Sequence, residues 1–214
     1  MRTKITLVLL LSLYTFAVKA QSSSFNFGLK AAPQISWMKP DTDGYKANGA
    51  KIGFAWGFIA DFNFTENYSI GTGFNMLFNG GKLTFSDATG TVNREYFLKY
   101  IEVPLTLKMR TNEINGTKYF GRIGLGTAFK IGAKKEDEIT NAEGIKTNIA
   151  KSNFDGAAFV RESLIVGVGA EHEIAEGLKL GLELTFNNGF TNILTEKDVK
   201  ATPNFFELAF SVIF

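Results

Sequence analysis

The sequence predicts an all-β fold, an eight-stranded antiparallel up-and-down β-barrel, and three observations lead there. Apolar residues recur at every second position over several stretches, which is the period of a strand with two unlike faces. The joins between those stretches alternate strictly between short and long. Phe occupies 21 positions and Gly 22, an excess that suits aromatic strands bent around a small closed sheet.

The N-terminal stretch is the first element. Arg2 and Lys4 form a positive region, Ile5–Leu13 an apolar run, and Val18-Lys19-Ala20 a small-residue cleavage pattern. Residues 1–20 therefore read as a secretory signal peptide and residues 21–214 as the exported barrel domain. The apolar run is short for a helical span, which needs about 20 residues. The chain has no cysteine, which excludes a lipoprotein anchor, a disulfide framework, a thiol nucleophile and a thiolate metal site. Removing Arg2, Lys4 and Lys19 takes the formal charge from +2 to −1, so there is no electrostatic case for a nucleic-acid partner. After residue 20 no apolar stretch is long enough to span as a helix, so a membrane location requires a barrel.

Eight segments follow, at 25–37, 51–63, 68–79, 95–110, 117–131, 160–174, 178–189 and 204–214. In the second, Phe54, Trp56, Phe58, Ala60 and Phe62 alternate with Gly53, Ala55, Gly57, Ile59 and Asp61. In the fourth, Ile101, Val103, Leu105, Leu107 and Met109 alternate with Glu102, Pro104, Thr106, Lys108 and Arg110. The sixth sets Leu164, Val166, Val168 and Ala170 on one face, together with His172. In the seventh, Leu178, Leu180, Leu182, Leu184 and Phe186 alternate with small or polar residues, and the last strand repeats the pattern from Phe206 to Phe214. Pro104 cannot donate to a ladder, so a local bulge or an open gap is expected there.

Short joins near 64–67, 112–116 and 176–177 carry Asn, Glu and Gly turn chemistry. The joins at 38–50, 80–94, 132–159 and 190–203 are long. That asymmetry is the one expected of outer-membrane barrels, with tight periplasmic turns and extended outer loops.

The polarity of the two faces decides between a soluble carrier and a transmembrane barrel. The non-aliphatic face holds Gly28, Gly57, Gly71, Gly124, Gly167 and Gly169, with Lys30, Asp61, Glu102, Arg122, Glu183 and Glu207. An eight-strand interior is just wide enough for side chains to fill, and small residues mixed with a few long charged ones fit it. The Leu, Phe and Val face then points outward, which is favourable only in hydrocarbon. Trp37, Tyr68, Tyr100 and Tyr119 are expected to form interfacial girdles.

With these features in place, the sequence resembles the PorT-like outer-membrane β-barrel family typical of Bacteroidetes. The most specific stretch is Tyr100-Ile-Glu-Val-Pro-Leu-Thr-Leu-Lys108, supported by Phe27-Gly-Leu-Lys-Ala31 and the terminal Phe214. The resemblance spans most of residues 21–214 and implies the barrel fold and the outer membrane of a Gram-negative bacterium. It also implies that Phe214 is the signal read by the barrel-assembly machinery. The namesake's role in type IX secretion is not carried over.

For chemistry, the inward Lys30, Asp61, Glu102, Arg122, Glu183 and Glu207 are expected to form a buried charge network, since unpaired buried charge is costly. His172 is the only histidine and falls at the rim carrying the short turns, as an interfacial residue rather than a base. Asp41-Thr-Asp43-Gly44 lacks the spacing of a calcium loop, and Gly124-Leu-Gly126 lacks the third glycine and helix of a nucleotide site. No catalytic, cofactor or metal residue is assigned. The expected function is that of a non-enzymatic barrel, structural or partner-binding, with a secretion or envelope complex as one setting for it. Its expected contacts are outer-membrane lipid, the assembly machinery, and an unidentified protein held by loops 132–159 and 190–203. A narrow porin-like channel is the alternative, opposed by lumen filling from Leu77, Phe120, Ile165 and Phe205. A lipid-modifying enzyme is the second alternative.

Overall fold

The computed structural model describes residues 25–195 and 199–214, so the signal peptide expected at 1–20 lies outside the described residues. The described strands are β1 (Phe25–Pro40), β2 (Lys46–Ala47), β3 (Lys51–Asn63), β4 (Tyr68–Asp87), β5 (Gly90–Arg110), β6 (Thr117–Thr140), β7 (Lys146–Asn153), β8 (Val160–Ala175), β9 (Leu178–Gly189) and β10 (Ala201–Ile213). Eight of them close a ring in the order β1-β3-β4-β5-β6-β8-β9-β10, every neighbour antiparallel, with β10 returning to β1. The seam is tied beyond the last strand as well: Phe27 and Phe214 exchange amide-to-carbonyl bonds of 3.1 and 2.7 Å.

The ring turns its large apolar side chains outward. Ile52 is 84% exposed, Leu105 62% and Val168 61%, against 1% for Leu77 and 2% for Phe205 on the inner face. Cross-strand aromatic pairs stitch the outside, with Phe186 and Phe206 centroids 4.9 Å apart and Trp37 5.7 Å from Phe206. Such a surface is costly in water and stable in hydrocarbon. The inner face is glycine-rich because its neighbours are long. A Cβ on Gly169 would overlap the ring of Phe120, and one on Gly167 the carboxylate of Glu183.

At the short-turn end the strands stop where the turn residues predict. At the other end they do not. Residues 80–94, expected as a loop, are a continuation of β4 and β5 around the two-residue turn Ala88-Thr89. Residues 132–159, also expected as a loop, are largely the extended end of β6 and the antiparallel strand β7. Crossing a bilayer takes about 9–11 residues per strand, whereas β4, β5 and β6 have 20, 21 and 24. The surplus forms an outer sheet in the order β2-β4-β5-β6-β7.

Residues 154–158, 191–195 and 199–200 fold inward beneath that sheet. Ala157 bridges Leu194, Ala158 N donates to Ile193 O at 2.8 Å, and Thr195 N to Gly156 O at 2.8 Å. Phe154, Ile193, Leu194 and Val199 are buried there with Met38, Leu83, Tyr96 and Leu98, an apolar cap over the outer mouth. Tyr100 belongs to this inner layer and not to an interfacial girdle: it is 1% exposed and its hydroxyl donates to Ala158 O at 3.1 Å. The parity that puts Ile101 outward requires it. Tyr68 and Tyr119, at the short-turn rim, are exposed as expected.

Pro104 produces no bulge. The ladder between β4 and β5 keeps one register on both sides, Gly71 facing Thr106 and Asn75 facing Glu102, and is simply open between them. The missing N–H of Pro104 faces β4. The Thr72 hydroxyl donates to Pro104 O at 2.8 Å across the opening. The register of β5 shifts instead against β6, between Lys99 and Tyr100.

Candidate functional site

The lumen below the cap is where the sequence placed its charges, and all six expected residues point into it. Lys30 Nζ is 2.6 Å from Glu207 Oε1, and Gln34 Nε2 donates to the other Glu207 oxygen at 2.7 Å. Arg122 Nε lies 2.9 Å from Glu183 Oε1, a close ion pair without hydrogen-bond alignment. Asp61 Oδ2 takes Lys108 Nζ at 2.7 Å and Arg110 Nη2 at 3.0 Å. Glu102 accepts from Asn187 at 3.1 Å and Asn75 at 3.3 Å, with Arg161 Nη1 at 3.4 Å.

Four partners in this set escaped the sequence-based assignment: Lys108, Arg110, Arg161 and Glu171. Lys108 bridges Asp61 and Glu171, and Arg110 Nε reaches Glu171 Oε2 at 3.3 Å. Each was accessible to parity. Lys108 and Arg110 share the face of Glu102, and Glu171 lies opposite in parity to His172. The complete set has five carboxylates (Asp61, Glu102, Glu171, Glu183, Glu207) and five cations (Lys30, Lys108, Arg110, Arg122, Arg161), so its formal charge is zero. Rings complete the filling: Lys108 Nζ sits 4.4 Å from the centre of Phe120, and the Arg161 guanidinium 5.2 Å from that of Phe205. What space remains between Lys30, Glu102, Arg122 and Glu207 is a cavity of about 40 Å³, enough for a few water molecules. Paired charges at this density brace the barrel wall from within.

His172 is exposed at the short-turn rim, with Nδ1 2.9 Å from the Thr117 hydroxyl. Phe214 is exposed on the outward face beside β1.

The outer sheet is the second candidate. Arg94 grips Asp137 with two bonds, 2.7 and 3.0 Å, tying β5 to β6 above the bilayer. At the tip of the β4–β5 hairpin the Thr89 hydroxyl and amide donate to Asp87, holding its carboxyl below the usual range. Lys146 and Asn93 do the same for Glu138. All eight residues of β7 are exposed, and its edge away from β6 pairs with no strand among the described residues. In the join that follows β9, in contrast, Ile193, Leu194 and Val199 are buried while Phe190 is exposed.

A closed eight-stranded ring with lipid-facing apolar residues and a charged, filled interior defines a small outer-membrane β-barrel. Residues 19–195 match the family described as outer membrane protein beta-barrel domain, and the chain belongs to it. Its location is accordingly the outer membrane. No curated protein matches the sequence. Among solved structures, Neisserial surface protein A is 14% identical with a TM-score of 0.52, over 89% of this chain and 96% of that one. OprG from Pseudomonas aeruginosa is 11% identical with a TM-score of 0.48, over 89% and 96%. Ail, the attachment invasion locus protein of Yersinia pestis, is 16% identical with a TM-score of 0.43, over 88% and 98%. At these identities the likeness is one of fold, and it is the first of the three that supports the fold.

Proposed function

We propose that this protein is a non-conducting, non-enzymatic barrel that acts through its outer sheet by holding a protein partner. The observation that carries the proposal is the lumen: five carboxylates matched to five cations beneath an apolar cap. A channel needs a continuous polar path and mobile charges, and here the charges are spent on each other. The partner-binding part is supported by β7, whose unpaired edge offers backbone donors and acceptors of the kind that added strands occupy. In this reading the six expected lumen residues, Lys30, Asp61, Glu102, Arg122, Glu183 and Glu207, are structural, and Phe214 serves assembly. A closer kinship with PorT-like barrels, and through it a link to a secretion or envelope complex, rests on the stretch Tyr100–Lys108.

The test is to refold residues 21–214 in detergent, verify the fold by a heat-dependent gel shift, and record in planar bilayers. A shifted band with no stable current is the expected result. Steady unitary conductance would overturn the proposal and make Glu102, Arg122 and Glu183 selectivity residues.

A further inference from the structure

The step where β3 ends and β4 and β5 continue outward leaves a groove of about 450 Å³ on the outside of the barrel. Its floor is apolar and faces the bilayer: Ile52, Phe54, Phe78 and Phe97. Its upper rim is cationic. Lys51 Nζ lies 3.2 Å from the centre of the Phe97 ring and Lys151 Nζ 3.3 Å from it, so two ammonium groups share one ring. Lys99 Nζ is 5.6 Å from the Phe78 ring, and Lys134 stands directly across from Phe97 on β6. Two carboxylates are near. Glu95 pairs with Lys51 and Lys82, and Glu136 faces Glu95 one step further out. Lys99, Lys134 and Lys151 have no ion-pair partner among the described residues.

We infer that this groove binds a phosphate-bearing lipid of the surrounding outer leaflet, with an acyl chain along Ile52, Phe54 and Phe78 and the phosphate among Lys51, Lys99, Lys134 and Lys151. Three features select a membrane lipid over a soluble anion. The floor opens sideways into hydrocarbon and continues the lipid-facing surface of β3 and β4. The ammonium groups sit where the strands leave the bilayer, at the depth of a headgroup. The groove carries a local excess of positive charge, with Lys51, Lys82, Lys99, Lys134 and Lys151 against Glu95 and Glu136, whereas the lumen pairs are balanced. Lysine stems also lie along apolar surface while their heads reach the interface, so each side chain serves both halves of such a ligand.

The experiment is native mass spectrometry of the full barrel released from detergent, titrated with diphosphoryl lipid A and, separately, with phosphatidylcholine and inorganic phosphate. Retained lipid A adducts are expected, with weak retention of phosphatidylcholine and none of phosphate. Replacing Lys99, Lys134 and Lys151 together by Gln should weaken lipid A retention by roughly fivefold per lysine, while Arg at the same positions restores it. Ile52→Asn should weaken lipid A retention as well. All these residues lie outside the lumen, and the heat-dependent gel shift verifies that each variant is folded. Unchanged lipid A retention in the folded Gln variant overturns the site. Phosphate retained as strongly as lipid A overturns the lipid as its occupant.

Discussion

Lys108 shows what a single residue does in this lumen. Its ammonium group is 1% exposed and serves both Asp61 and Glu171. Lys108→Met would leave those two carboxylates with Arg110 as their one remaining direct ion-pair partner, a net negative charge in a nearly filled interior. Breaking a buried pair from one side costs about 3–5 kcal/mol, so the urea midpoint of the variant in lipid vesicles should fall markedly. An unchanged midpoint would mean that the lumen charges are hydrated rather than paired. Inwardness was legible at this scale and partnership was not. Period-2 parity assigns a face to every strand residue, and it put Lys30, Asp61, Glu102, Arg122, Glu183 and Glu207 in the lumen. Which carboxylate meets which cation depends on the stagger between strands, which no single strand encodes. Arg161 reaches Glu102 from the far side of β6 for that reason. Tyr100 marks the opposite failure: its chemistry suggested the interface, and its parity, which pointed inward, was right.

Strands were legible where lipid touches them. The segments 51–63 and 178–189 coincide with β3 and β9, because hydrocarbon on one face and filled lumen on the other enforce a clean alternation. Above the bilayer water wets the sheet, the contrast between faces fades, and Lys82–Asp87, Gly90–Arg94 and β7 read as loop although they are extended. What specifies the β4–β5 hairpin instead is local chemistry at its tip. The Asp87 carboxyl, held below its ordinary value of 3.8 by the Thr89 hydroxyl and amide, favours the turn when ionised. Its folded value is the lower one, so the contribution is present above the ordinary value and lost as pH falls through the folded value. Asp87→Asn should therefore speed amide exchange at Thr89 at neutral pH, and the difference from wild type should vanish in acid. A difference that persists in acid would assign the turn to backbone geometry alone.

At the scale of the molecule the barrel and its outer sheet are separable in kind. Closure uses β1, β3, β4, β5, β6, β8, β9 and β10, and β7 only adds an edge. Excising Lys146–Asn153 and rejoining β6 to Phe154 through a short Gly-Ser turn should leave the heat-dependent gel shift intact, with a urea midpoint close to that of the parent. Collapse of the barrel on that deletion would make β7 part of the closing structure and remove it as a free edge. The balanced interior has one more result, and it concerns voltage. A potential across a membrane does work on net charge, about 2.3 kcal/mol for each elementary charge carried through 100 mV. Five acids and five bases moving as one body carry none. A potential across the membrane therefore does no net work on the paired set and acts only on its individual pairs.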